Sequence, residues 1–196
     1  MKRTFLVLAA IAGTTAIALL ACNSQPAAAE STVISQDSLI KRGSYLVSGL
    51  GCDDCHTSKK MGPKGPELDM EHRFGGHLAN IPLGKIDTSV MSQGWVLFNL
   101  TNTATVGPWG ISYAANISSD ETGIGSWSED QFKIALRKGK YKGMNESRPL
   151  MPPMPWQNYG QLNDDDLKAI FAFLKSTKPV NNVVPAYTPP NEMKVK

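Results

Sequence analysis

Cys52-Asp53-Asp54-Cys55-His56 places two thiols three positions apart and an imidazole directly after the second. Three chemistries use such a pair. A thioredoxin-like redox pair wants a βαβ setting and has no need of the histidine. A zinc site wants a second ligand pair downstream, yet no cysteine follows Cys55 and the only other histidines are His72 and His77. The third chemistry is covalent haem attachment, in which Cys52 and Cys55 add across the haem vinyl groups and His56 ligates iron; CxxCH is its signature. On a helical turn residues 52 and 55 project from one face, and His56 can swing under the ring as proximal ligand. The reading is one covalently bound haem c.

An iron with one protein ligand is open to gases or peroxide, whereas one with two strong ligands mainly passes electrons. The best source of a distal ligand is "RPLMPPMPWQNYGQL", whose prolines stiffen the chain near polyproline II geometry. Met154 is favoured for its closeness to Trp156 and the following helix, with Met151 as the alternative; a thioether suits an iron that changes charge with little reorganisation. His77 or His72 would make a bis-histidine site instead. Met61, Met70, Met91 and Met144 read as packing or surface residues.

These groups need elements to hold them. From about Gln36 to Leu50, Leu39, Ile40, Gly43, Leu46, Val47 and Leu50 recur at helical spacing. Gly43 on that face costs roughly 1 kcal/mol against Ala, tolerable where another helix crosses closely. Near the end, Asn163 is a natural N-cap, Asp164, Asp165 and Asp166 suit the positive end of a helix dipole, and Leu167, Ile170, Phe171 and Leu174 form a stripe that Pro179 closes. A third helix is expected from Ser128 to Lys138, with Gln131 completing a capping box and Phe132, Ala135 and Leu136 inward. Residues 57–125 show little helical periodicity; "WVLFNL" (95–100) is a strand candidate, and a stretch this long without regular structure implies wrapping of a ligand or a partner.

The chain has 196 residues, 41% of them hydrophobic, with 17 Gly and 13 Pro, so a bulky apolar ligand would supply core that the sequence lacks. Lys2, Arg3 and the apolar run that ends at Leu19-Leu20-Ala21-Cys22 read as a lipoprotein-type signal over 1–22, with Cys22 lipidated. The alternatives are an ordinary signal cut near the "AAA" of 27–29 and a retained anchor. Residues 23–35 read as a flexible tether, 36–179 as the haem domain and 180–196 as an extended tail. Loss of residues 1–21 leaves 18 basic residues against 17 acidic ones, a charge of +1, which gives no general reason to bind nucleic acid. Export to the periplasm or cell surface, with lipid tethering to a membrane, follows from this reading.

"RGSYLVSGLGCDDCHT", "GPWGISYAANISSDETGIGSWSEDQFKIALRKG", "MPPMPWQNYGQLNDDDLKAIFAFLKS" and "VNNVVP" together make the chain resemble class I c-type cytochromes. The likeness is to the haem domains of cytochrome subunits of bacterial membrane alcohol and gluconate dehydrogenases. It implies an all-α, cytochrome c-like fold with crossing first and last helices, long loops and room for a small β-hairpin insertion. It further implies thioethers at Cys52 and Cys55, His56 proximal and Met154 distal. "GPKGPEL" is similar to the stretch whose proline carbonyl accepts the proximal histidine's second N–H, which implies Pro66 or Pro63 in that role. Those subunits generally carry several haem motifs; this chain has one, and residues 61–105 fall outside the matching pattern.

The function expected is one-electron transfer, with the protein not itself an enzyme and with no small-molecule substrate. Its partners would be redox proteins: a dehydrogenase, an oxidase or another cytochrome. Lys59, Lys60 and Lys64 read either as a basic docking rim or as ordinary solvated charge. The alternatives are a fixed subunit of a larger dehydrogenase or oxidase complex, and a gas sensor or peroxidase with a labile distal ligand.

Overall fold

Ser35 opens the first described helix by accepting from the Ser38 backbone N–H, and the helix runs Gln36–Gly49 (α1). The computed structural model describes residues 34–193. The expected signal segment, Cys22 and nearly all of the tether lie outside the described residues. After α1 come the single turn Cys52–His56 (α2), the strands Lys59–Gly62 (β1) and Gly65–Leu68 (β2), and Leu97–Phe98 (β3), Ala104–Gly107 (β4) and Gly110–Tyr113 (β5). The helices Glu129–Lys138 (α3), Trp156–Tyr159 (α4) and Asp164–Lys175 (α5) complete the order.

The close approach that Gly43 implies is present. A Cβ built on Gly43 would collide with the Ala169 carbonyl oxygen, so α1 and α5 meet where position 43 has no room for a side chain. Arg42 seals the same crossing, its Nε donating to Asp166 Oδ1 at 2.6 Å. Around it Val47, Phe132, Leu136, Leu167, Ile170 and Leu174 form the buried core, together with Phe74 and Ile124 from the long middle segment. Burying each such side chain is worth about 1.5–3 kcal/mol.

The caps follow the sequence with one departure. Asn163 accepts from Asp166 N–H at 2.7 Å, and Ser128 accepts from Gln131 N–H at 3.1 Å. The Gln131 side chain does not close the capping box; it donates to the Lys142 carbonyl at 2.8 Å, which ties α3 to the loop after it.

Helices form most of the core, but two antiparallel sheets accompany them, so the all-α expectation is too narrow. The middle segment, lacking helical periodicity, satisfies its backbone by pairing with itself. β1 and β2 form one antiparallel hairpin, and β3-β4-β5 form a three-stranded antiparallel sheet. The strand expected over 95–100 is only Leu97–Phe98, because Asn99 turns the chain: its Oδ1 accepts from the N–H groups of Thr103 and Ala104. The C-terminal segment runs back over the middle one. Val180 and Asn182 are buried there, and Thr188 bridges to Ile111. Among the described residues no helix is long and apolar enough to cross a membrane.

Candidate functional site

Gly51 precedes α2 with φ of +70°, which turns the chain sharply from α1 into the CxxCH segment. Cys52, Cys55 and His56 share that one turn, each half-buried, and the two cysteines are free thiols. Burial, then the Asp53 carboxylate, pushes Cys52 up to about 11, and burial raises Cys55 as well. A redox CxxC pair needs a depressed thiol, which this setting does not provide, and among the described residues no further histidine or carboxylate joins the two cysteines in a metal-ligand cluster.

Asp53, between the cysteines, anchors the turn. Arg73 donates to both its oxygens, Nε to Oδ1 at 3.0 Å and Nη2 to Oδ2 at 2.7 Å, and Thr57 Oγ1 donates to Oδ1 at 2.7 Å. Burial works against the Asp53 carboxylate, but Arg73, Thr57 and Lys59 hold it below its ordinary value. Lys59 is no free rim charge: its ammonium donates to the Thr57 carbonyl at 3.1 Å and to the Asp54 carbonyl, capping the end of α2. Lys60 lies 3.7 Å from Asp69, and Lys64 is exposed on the hairpin turn. Of the three lysines read either as a docking rim or as solvated charge, Lys59 is tied to the backbone.

His56 Nδ1 donates to the Ala115 carbonyl at 2.7 Å. This corrects the expectation for Pro66 or Pro63. Residues 59–68 fold back on themselves as a hairpin that leaves both prolines exposed, and the ring's one Nδ1–H is taken by Ala115. Burial lowers the affinity of His56 for a second proton, against the pull of the Ala115 carbonyl. With the proton on Nδ1, Nε2 carries a lone pair with no hydrogen-bond partner among the described residues, the form in which imidazole ligates a metal.

His77 is a poor rival. It is buried, with Nδ1 bonded to Thr103 Oγ1 at 2.8 Å and Nε2 to the Ile81 carbonyl at 3.1 Å, so both ring nitrogens are used. His72 is held by Asp69, Nδ1 to Oδ2 at 2.7 Å. Met154 is half-buried and packs, with Cys52, Ile117, Trp127 and Tyr159, against the same core cluster. Met151 is half-buried one turn earlier, and Met154 N–H donates to its carbonyl at 3.3 Å. Ser112 Oγ fixes this loop by donating to the Pro152 carbonyl at 2.6 Å. Gly139, with φ of +60°, lets the Trp156 ring lie where a Cβ would stand.

Two contacts escaped sequence reasoning. Asn102, with φ of +57°, donates through Nδ2 to the Asp54 carbonyl at 2.7 Å and so ties the middle segment to α2. Ala115 acts through a backbone carbonyl, which leaves no trace in residue type.

No family model matches the chain. Among curated proteins it is similar to the fructose dehydrogenase cytochrome subunit of Gluconobacter japonicus, 29% identical over 182 residues, which cover 91% of this chain and 30% of that protein. The gluconate 2-dehydrogenase cytochrome c subunit of Pantoea cypripedii is 30% identical over 176 residues, covering 89% of this chain and 29% of that protein. The cytochrome c subunit of the quinone alcohol dehydrogenase of Gluconobacter oxydans is 30% identical over 175 residues, covering 88% of this chain and 27% of that protein. The chain thus spans less than a third of the length of these curated relatives.

Proposed function

We propose that this chain, related to the cytochrome c subunits of dehydrogenases, is a one-electron carrier that holds a single haem c. Cys52 and Cys55 carry the thioethers, His56 the proximal nitrogen and Met154 the distal sulfur, with Met151 as the competing donor. When bound, haem c supplies a reversible Fe(III)/Fe(II) couple, and methionine ligation tends to raise its potential. The chain's own part is to hold two thiols on one turn, to keep His56 neutral and oriented through Ala115, and to offer a thioether from a proline-stiffened loop. The observation that carries the reading is the CxxCH turn itself, with both thiols and His56 on α2 and His56 Nδ1 donating to the Ala115 carbonyl.

The partner is a redox protein, and the names of the relatives favour a dehydrogenase. Their description as subunits also supports the second reading, in which the chain is a fixed part of a larger dehydrogenase complex. Export with a lipid on Cys22, the domain limits of 36–179 and placement at the periplasm or cell surface belong to the same proposal. They rest on the lipobox-like segment and on the need for an oxidising compartment.

Production in a host that matures c-type cytochromes tests this directly. Mass spectrometry of the tryptic peptide holding Cys52 and Cys55 is expected to show the mass of one added haem. The reduced protein is expected to be low-spin and slow to bind carbon monoxide. A peptide of unmodified mass removes the proposal. Co-purification of a dehydrogenase at fixed stoichiometry would favour the subunit reading over the free carrier, and mass spectrometry of the mature N-terminus tests the lipid.

A further inference from the structure

The carbonyl that holds His56 is itself held from far along the chain. Ala115 lies in a segment paired with residues 74–77: Ile117 N–H donates to the Phe74 carbonyl at 2.8 Å and His77 N–H to the Ala114 carbonyl at 3.0 Å, one bond on each side of Ala115. Gly76 sits between them with φ of +72°, and its N–H donates to the His56 carbonyl at 2.8 Å. A Cβ on Gly76 would collide with the Ala114 oxygen and fall 2.6 Å from the Ala115 oxygen. The loop is therefore pressed against the carbonyl that accepts from His56.

This loop does not hold itself. Phe74, fully buried, has φ of +63°, a strained conformation for a bulky residue that persists only when the surroundings impose it. Phe74 itself is held by Thr57 Oγ1, which accepts its N–H at 3.0 Å, and by Ile117; the residues after it are held by Asn182, buried in the segment after α5. Its Nδ2 donates to the Gly75 carbonyl at 2.7 Å and to the His77 carbonyl at 2.9 Å, while its Oδ1 accepts from Ala79 N–H at 3.0 Å. Both amide hydrogens and the oxygen are thus committed to one loop, on either side of Gly76. The Asn182 main chain is fixed in turn, its N–H on Thr122 Oγ1 at 3.0 Å and its carbonyl accepting from Asn116 Nδ2 at 3.3 Å. Asn116 is the neighbour of Ala115, so the circuit closes.

We infer that Asn182 is a positioning residue for the axial histidine: it clamps residues 75–79 against Ala115 and so sets the strength of the hydrogen bond to His56 Nδ1. The inference rests on the proposed role of His56. A carbonyl on Nδ1 makes the ring a stronger donor, which favours the higher oxidation state of the bound metal. Release of the clamp loosens that carbonyl and shifts the balance toward the reduced form.

The test uses the holoprotein and its Asn182→Ala variant, with Asn182→Ser as a partial donor that also serves if the alanine variant does not mature. Redox titration is expected to show the Fe(II)/Fe(III) ratio at fixed ambient potential rising about tenfold in Asn182→Ala, equivalent to about 59 mV for one electron, with Asn182→Ser between it and wild type. Amide hydrogen exchange is expected to speed up at Gly76, His77 and Ala79. Leu39→Ala thins the buried packing of α1, an element that makes none of these hydrogen bonds, and is expected to lower the melting temperature without moving the potential. An Asn182→Ala protein with wild-type potential and unchanged exchange overturns the inference, as does an equal shift in Leu39→Ala. A wild-type protein without haem would instead remove the reading on which the inference depends.

Discussion

The proximal and distal sides of the candidate site are held by different means. On the proximal side, polar side chains brace the turn: Arg73 and Thr57 on Asp53, the Ala115 carbonyl on His56, and Asn116 and Asn182 behind it. On the distal side, Met154 stands in a loop whose stiffness comes largely from Pro152, Pro153 and Pro155, and whose anchors are few, chiefly Ser112 on the Pro152 carbonyl. A hydrogen-bonded brace resists displacement because each broken bond leaves a buried polar group unsatisfied. Chain stiffness lowers the entropy of presenting a ligand but puts no comparable penalty on letting go. On the proposed assignment, the His56 side is the one built to stay and the Met154 side is the one expected to yield.

Five outcomes would break or sharpen this contrast. The largest effect is expected from His56→Ala, which removes the braced ligand: the low-spin spectrum should be lost entirely, and its survival would end the assignment. Next, Met154→Ala should keep the covalent haem but lose the weak far-red sulfur-to-iron band and bind carbon monoxide readily. Met151→Ala should do neither, and the reverse pattern would exchange the two methionines.

Third, Arg73→Leu leaves the Asp53 carboxylate half-buried without its fork and should cost about 2 kcal/mol in chemical denaturation. Its effect should exceed that of Ser112→Ala, expected at about 1 kcal/mol. The serine variant should nevertheless speed carbon monoxide binding while Arg73→Leu does not, and equal rates would erase the distinction between the two sides. The smallest effect concerns pH. Burial works against the Asp69 carboxylate, but His72, the Glu71 N–H and Lys60 hold it below its ordinary value of 3.8. A carboxylate lowered in the folded state stabilises fully above its unfolded value and loses that contribution as pH falls through its folded one. Asp69→Asn should therefore lower stability by less than about 1 kcal/mol at neutral pH. The difference from wild type should vanish only below about pH 4, read from melting curves across pH 2–7.

How much could be read in advance varies by region for physical reasons. The α1–α5 crossing was legible because an apolar stripe interrupted by Gly43 has one economical explanation, and the Ala169 carbonyl supplies it. The caps at Ser128 and Asn163 were legible because capping is local. The middle segment was not. Its two-residue β3, the turn at Asn102 and the positive φ of Phe74 are imposed by partners distant in sequence, and no window of sequence contains both sides of such a contact. The capping box at Gln131 failed for the same reason, since Lys142 offered its side chain a better acceptor.

The sequence by itself determined which atoms are available for chemistry: two thiols and an imidazole on one turn, and a thioether in a stiff loop, because motif spacing and helix geometry are local properties. The tertiary structure alone decided how those atoms are held. The acceptor for His56 is a backbone carbonyl 59 residues away, and the amide that steadies it comes from beyond the last helix. A carbonyl is common to every residue, so only the path of the folded chain can say which one arrives.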